Sequence, residues 1–256
     1  MTMLEQSWHL TLRNLRFLLR QPWYIGVTLV QPVIWLVLFG ALFKNITQIP
    51  GFTSPSYIDY LTPGVVIMSA LFSSGWLGMG FIEAMDRGVI NRFLTSPTSR
   101  GALIVGSLAY GGIVTAVQSL IIVGVGVASG ARYSSLAGVA LLLLVTILIS
   151  TAFGSFSNAV ALLLRKQESL IGAVNFLVLP LAFLSSIFMQ QSLMPRWIQV
   201  VATYNPVNWA VAAGRAALAS GANWHLVAED SAYLLLLAVV CAWLSTRAFR
   251  SYQRSL

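Results

Sequence analysis

Residues 21–43 read QPWYIGVTLVQPVIWLVLFGALF, a run of 23 without Asp, Glu, Lys or Arg. At about 1.5 Å of rise per residue such a helix reaches about 34 Å, enough to cross a hydrocarbon core of about 30 Å. Marking every charged residue leaves five further gaps: Tyr60–Ile82, Gly101–Ala131, Tyr133–Leu164, Ser169–Pro195 and Ser231–Thr246. The last holds 16 residues, about 24 Å of helix, so its span starts earlier and carries Glu229 and Asp230 at headgroup depth. The expected class is an all-α membrane protein with six transmembrane helices. Its spans run approximately over 22–43, 61–82, 102–129, 136–164, 169–190 and 228–246, within one transmembrane domain, 21–256.

Composition excludes the soluble alternatives. Of 256 residues, 57% are apolar and 9% charged, and the mean hydropathy is +0.81. Soluble domains carry about 25% charged residues, so this chain has too few to cover a water-facing surface. The net charge of +8 gathers at the ends of the apolar runs, which reads as membrane topology and not as a nucleic-acid footprint. Cys241 stands alone, so no intrachain disulfide forms.

Trp197–Gly214 is also uncharged, but Asn205, Pro206 and Asn208 interrupt it and Arg196 and Arg215 bound it. Polar breaks are costly in lipid, so this stretch reads as two short re-entrant helices on the extracellular side, between spans five and six. With an even span count, eleven Lys and Arg residues share one face against four on the other. The positive-inside rule then makes both termini cytoplasmic. Arg196, Arg215, Glu229 and Asp230 are candidate ion-pair partners between the re-entrant helices and span six, and exposed pairs are worth only about 0–1 kcal/mol.

Residues 1–20 precede the first span and are too closely followed by a long apolar run to be a cleavable signal. On a helical wheel Leu4, Trp8, Leu12, Leu15 and Leu19 fall on one side, with Glu5, His9, Arg13, Arg16 and Arg20 beside them. The segment is expected to be an amphipathic interfacial helix with its arginines near anionic lipid; an ordinary solvated helix is the alternative. Small residues at helix-packing spacing, Gly124, Gly126 and Gly130 in span three and Ser150 and Gly154 in span four, mark candidate contacts between spans.

Several chemistries lack their parts. A P-loop needs a lysine followed by Ser or Thr, whereas the two lysines precede Asn45 and Gln167. The chain is therefore expected to have no ATP site, no cofactor and no catalytic residues. His9 and His225 fall on opposite sides of the membrane and share no metal. No span carries an ionisable residue near its middle, which argues against a proton- or ion-coupled transporter.

The loop between spans two and three, Glu83 to Arg100, carries the most information. Val89, Ile90, Phe93 and Leu94 form one apolar stripe of a short helix, with Asp86, Arg87, Asn91 and Arg92 beside it, and Pro97 stops it. Such a helix docks in a groove of a soluble partner or lies on the bilayer.

Tyr60-Leu61-Thr62-Pro63-Gly64, Asp86-Arg87-Gly88-Val89-Ile90-Asn91-Arg92-Phe93 with Ser96-Pro97 and Arg100, and Pro195-Arg196-Trp197 with Asn205-Pro206 and Arg215 occur in an order that resembles the ABC-2 type permeases. The similarity is greatest to their daunorubicin-resistance branch and includes Gln31-Pro32. Asn91 and Leu94-Thr95 depart from it, standing where that branch more often has charged residues.

The resemblance implies a multi-pass plasma-membrane subunit, of bacterial type, paired with a second permease copy or homologue. Two separate ABC ATPase subunits would hold ATP and Mg. Glu83, Asp86, Arg87, Val89, Ile90, Arg92, Phe93, Leu94, Pro97 and Arg100 would form the ATPase-coupling segment. The path, at the interface of two copies, would be lined by spans one, two and five, with Gln31, Trp35, Ser69, Ser73, Ser74, Asn175 and Phe176 as candidate lining residues. Such a path suits export of an amphipathic or lipid-like substrate: a drug, lipid or glycolipid. An ATP-independent channel or membrane scaffold is the alternative.

Overall fold

Glycines and serines set how closely the helices of this chain approach. A computed structural model gives the fold and describes residues 3–20, 22–88, 100–133, 135–219, 221 and 223–254. The elements are α1 (Met3–Arg20), α2 (Pro22–Leu42), α3 (Tyr57–Gly75), α4 (Met79–Asp86), α5 (Arg100–Ala128), α6 (Leu136–Leu164), α7 (Gln167–Phe183), α8 (Arg196–Thr203), α9 (Pro206–Leu218) and α10 (Trp224–Arg254), with 3-10 turns at Lys44–Gln48 and Gln191–Leu193. No strand occurs among the described residues.

Helix α3 lies at the centre. Ser56 caps it by accepting the Ile58 N–H at 3.3 Å, and Leu61, Val65, Val66, Ile67 and Leu71 are buried with Ile122 of α5 and Leu142, Val145 and Ile149 of α6. Three turn residues, 76–78, separate α3 from α4, and a break inside an apolar span needs partners for its backbone. Ser157 of α6 supplies them: its hydroxyl accepts the Gly78 N–H at 3.0 Å and donates to the Gly75 carbonyl. Leu77 seats between α5 and α6, where a Cβ on Gly111 or Gly154 would meet its Cδ1 at 2.5 or 2.6 Å.

Of the small residues singled out in the sequence, Gly154 receives Leu77 and Ser150 shares a 3.0 Å hydrogen bond with Thr115 of α5. Gly126 lies against Thr62 and Tyr133, whereas Gly124 and Gly130 face open space.

Among the described residues, four helical stretches are long and apolar enough to cross a membrane: Tyr57–Asp86, Gly101–Ala128, Leu136–Leu164 and Trp224–Ser251. Gly26–Leu42 and Gln167–Phe183 are shorter apolar helices. Bands of large apolar side chains stay exposed along α2 (Val30, Ile34, Val37, Leu38) and α10 (Leu236, Val239, Trp243). Continuous apolar bands of this kind suit a lipid environment and not water.

Three helices differ at their ends from the sequence expectation, and α10 does so at both, running over Trp224–Arg254 where 228–246 is expected. The second apolar helix starts at Tyr57, ahead of Asp59, because Ser56 provides the cap and the acid falls in the first turn, where carboxylates are favoured. Helix α7 ends at Phe183, and Leu184–Gln190 continue without helical structure.

Helix α1 packs on the start of α5 at Gly106, which Ser7, Leu10 and Thr11 approach, and Thr11 Oγ1 donates to the Gly106 carbonyl at 3.2 Å; Ser7, Thr11 and Leu18 are buried. The apolar stripe lies off this contact, with Trp8 and Leu19 exposed. The bundle packing therefore uses a third face of the helix, flanking the apolar stripe on the side away from the basic residues.

Candidate functional site

Antiparallel packing of α5 against α3, with Gly126 beside Thr62, and against α6, with Thr115 bonded to Ser150, defines two ends of the bundle. One carries α1, Glu83–Gly88, the start of α5 and Arg165-Lys166, and the other carries 43–56, 129–133 and 184–219. The sequence-derived candidates fall at both ends and between them.

At the first end, Glu83, Asp86 and Arg87 are exposed at the tip of α4, with Arg87 3.5 Å from Glu83 one turn back. An exposed pair of this kind contributes about 0.3–0.5 kcal/mol. Gly88 leaves the helix with φ of +65°, a left-handed conformation that glycine adopts without strain. Val89, Ile90, Arg92, Phe93, Leu94 and Pro97 lie outside the described residues. Arg100 opens α5, and its side chain is likewise outside the description.

The seven candidate lining residues are spread over three helices. Gln31 is exposed on α2 and Phe176 on α7, while Ser73 and Asn175 are half-buried. Ser69 and Ser74 are buried within the chain's own packing, where Ser74 donates to the Leu71 carbonyl at 3.1 Å.

Trp35 joins a larger constellation. It stacks on Phe39 with ring centroids 5.0 Å apart and planes 4° apart, and it lies 5.4 Å from Phe188. The run continues from Phe39 through Phe43, Tyr57 and Tyr60, and on its other side from Phe188 to the exposed Phe183. Aromatic pairs at these separations contribute about 0.5–1.5 kcal/mol each beyond the area they bury. The run forms a continuous aromatic surface along α2, the start of α3 and the non-helical segment after α7.

That segment is the focus of the second end. A chain that leaves helical geometry inside an apolar fold exposes carbonyl and N–H groups that must be paired. Here side chains from α3, α8–α9 and their connection pair them. Asn205 donates to the carbonyls of Leu181 and Leu184 at 2.8 and 3.1 Å while its Oδ1 caps α9 at Val207 N–H. The Ser186 N–H donates to Asn208 Oδ1 at 3.0 Å. The Tyr60 and Tyr57 hydroxyls donate to the carbonyls of Ser186 and Phe188 at 2.7 and 3.0 Å.

Arg215 of α9 closes the set. Its Nε donates to the Tyr60 carbonyl at 3.0 Å, and its terminal nitrogens donate to Ser186 Oγ at 3.2 Å and the Ile187 carbonyl at 2.9 Å. The guanidinium lies 3.4 Å above the Tyr60 ring. Hydrogen bonds to a charged group contribute about 1.5–3 kcal/mol each, and a desolvated cation over an aromatic face adds about 2 kcal/mol. Gly64 makes the approach possible, since a Cβ there would meet the Ile187 carbonyl oxygen at 2.8 Å.

This arrangement corrects the expected ion pairs. Arg215 turns inward to neutral acceptors, and Glu229 instead meets His225 at 3.8 Å and accepts from the Tyr233 hydroxyl at 2.9 Å. Nothing in the sequence alone pointed to the convergence of Tyr60, Gly64, Asn205, Asn208 and Arg215. The available signal was a set of polar residues in a mostly apolar stretch with no local partner.

Residues 5–219 match the family model described as ABC-2 type transporter. The transport permease ycf38 of Pyropia yezoensis is 30% identical over 210 residues, covering 80% of this chain and 71% of that protein. The daunorubicin resistance ABC transporter permease protein DrrB1 of Streptomyces coeruleorubidus is 26% identical over 227 residues, 87% of this chain and 78% of that one. The inner membrane transport permease YadH of Escherichia coli is 25% identical over 198 residues, 73% and 74% of the two chains.

Proposed function

The chain belongs to the ABC-2 type transporter family, and we propose that it is the membrane subunit of an ATP-driven exporter, moving an amphipathic or lipid-like substrate outward. As a transport permease it is an integral, multi-pass membrane protein that associates with ABC ATPase subunits, and the family places the ATP site on those partners.

The observation that carries the reading is the family match across residues 5–219. Export is supported by the drug-resistance permease among its relatives. Six spans follow if α2 and α7 cross beside the four long helices, with α8 and α9 re-entering from the outer side. Both termini are then cytoplasmic, and α1 lies in the inner interface with Trp8 and Leu19 toward lipid.

In this reading two ATPases close on each other beneath two permease copies. Each pushes on the segment from Glu83 to Arg100, which hands the movement to α4 and α5 as a rigid-body shift of packed helices. The part of the aromatic run that is exposed or half-buried, Phe183, Phe188, Trp35, Phe39 and Phe43, supports a cargo with an apolar part, because neighbouring rings offer it a broad apolar face. An apolar cargo of this kind needs no charge at mid-membrane.

The test is coupling. Phe93→Asp and Leu94→Asp should each abolish permease-stimulated ATP turnover by the partner ATPase while thermal unfolding of the permease stays unchanged. Full stimulation by both variants would contradict the assignment of this loop. A channel would instead conduct in a planar bilayer with no ATPase present.

A further inference from the structure

A cavity of about 440 Å³ opens beside the Arg215 network, at the end of the bundle away from the two termini. That volume lies within the range of about 300–1,000 Å³ typical of small-molecule sites. Its polar wall comes from five separate parts of the fold: Thr53 and Ser54 before α3, Asp59 and Tyr60 of α3, Arg132 of the α5–α6 loop, Ser186 and Gln190 after α7, and Arg215 of α9. Pro63 and Leu218 supply an apolar wall.

The charge of this cavity is uneven. It holds two guanidinium groups and one carboxylate, and that carboxylate is turned to the loop, where Asp59 Oδ1 accepts the Arg132 backbone N–H at 2.7 Å. The ion pairs found among the described residues, Glu83–Arg87 and His225–Glu229, involve neither Arg132 nor Arg215. Arg215 is held by a ring, a hydroxyl and two carbonyls, all neutral. Neutral acceptors fix its position but leave its charge uncompensated in a low-dielectric setting, where a nearby charge is felt strongly. An arginine carries five N–H donors, and Arg215 lines the cavity with three of them engaged in these bonds. The Asp59 bond in turn holds the loop bearing Arg132 at the cavity mouth.

We propose that this cavity binds the oxyanionic head, a phosphate or a carboxylate, of an amphipathic molecule whose apolar part lies along the Pro63 and Leu218 wall. Arg215 is the fixed inner donor and Arg132 the mobile-length donor at the rim. Guanidinium groups are suited to such oxyanions because their donors match two oxygens at once. The inference deepens the export reading and rests on it for its meaning, since it gives the charge of the head group that meets the outer side. The binding itself requires no ATPase.

The experiment uses the purified full-length permease in neutral detergent, titrated with octyl phosphate and followed by isothermal titration calorimetry. Wild type should bind one equivalent saturably, and octyltrimethylammonium should not compete. Arg132→Glu should weaken binding at least tenfold. Asp59→Asn keeps the oxygen that accepts the loop N–H, removes the negative charge and should tighten binding several-fold, a change that a purely structural role would not produce. Repeating the titration in nanodiscs separates the sources of the head group. Displacement by phosphatidylglycerol assigns the cavity to a resident lipid, and resistance to it assigns the cavity to the exported molecule. Absence of saturable binding, or an affinity indifferent to both substitutions, overturns the proposal. Binding without ATPase stimulation would leave this site standing and remove the exporter reading instead.

Discussion

The helical stretches Tyr57–Asp86 and Trp224–Ser251 have 30 and 28 residues and equal mean hydropathy, yet 67% of the apolar window of the first is buried and 33% of that of the second. Hydropathy places both in lipid. What separates them is the kind of residue that interrupts the apolar run. The first carries Thr62, Gly64, Ser69, Ser74 and Gly75, all buried against neighbouring elements. The second turns Leu236, Val239 and Trp243 outward. Lipid tails are as apolar as leucine, so apolar area alone gives no reason for a helix to prefer protein over lipid. Small and hydroxyl residues do, by allowing close backbone approach and interhelical hydrogen bonds.

The largest expected effect tests the polar junction of the buried helix. Arg215→Ala removes three hydrogen bonds made by a charged group and leaves the Ile187 carbonyl exposed to an apolar setting. A loss of about 4 kcal/mol or more is expected, below the simple sum because the partners act together. Thermal or denaturant unfolding in detergent reads it.

Next, the contrast between the helices is sharpened by one substitution made twice. Leu71→Ala, fully buried on α3, should cost about 2–5 kcal/mol through the cavity it leaves. Leu236→Ala, 64% exposed on α10, should stay within about 0.5 kcal/mol. Equal losses would mean that α10 is covered as α3 is. A smaller loss than that of Leu71→Ala is expected of Tyr60→Phe, which deletes the 2.7 Å bond to the Ser186 carbonyl but keeps the ring under Arg215. It should cost about 1–3 kcal/mol, the range for leaving a buried acceptor unsatisfied.

Much of this fold is legible in the charge gaps, because a membrane excludes charge whatever the packing. The long helices α5 and α6 follow the gaps closely. Where the gaps mislead, the cause is local. Asp59 is tolerated inside the first turn of α3, since a carboxylate near a helix N-terminus is favourable and this one also accepts the Arg132 N–H. Leu184–Gln190 contains no charge, so nothing in its composition marks the end of α7 at Phe183.

The junction around Arg215 was illegible for a different reason. Its acceptors are mainly backbone carbonyls and a ring face, which residue identities do not encode. An arginine bounding a polar stretch suggested acidic partners in Glu229 and Asp230, yet the oxygens that hold it belong to Tyr60, Ser186 and Ile187. The Tyr60-Leu61-Thr62-Pro63-Gly64 motif was visible as a family likeness. Its physical role, a ring beneath the guanidinium and a missing Cβ beside Ile187, emerges only once the fold brings α9 against α3.

The account depends most on which side of the membrane receives the motor. With Cys241, the sole cysteine, replaced by Ala, single cysteines at Asp86 and Gly221 can be probed in intact cells with a membrane-impermeant maleimide. The account predicts that Gly221→Cys reacts from outside and that Asp86→Cys reacts only after permeabilisation. Labelling of Asp86→Cys in intact cells would contradict it.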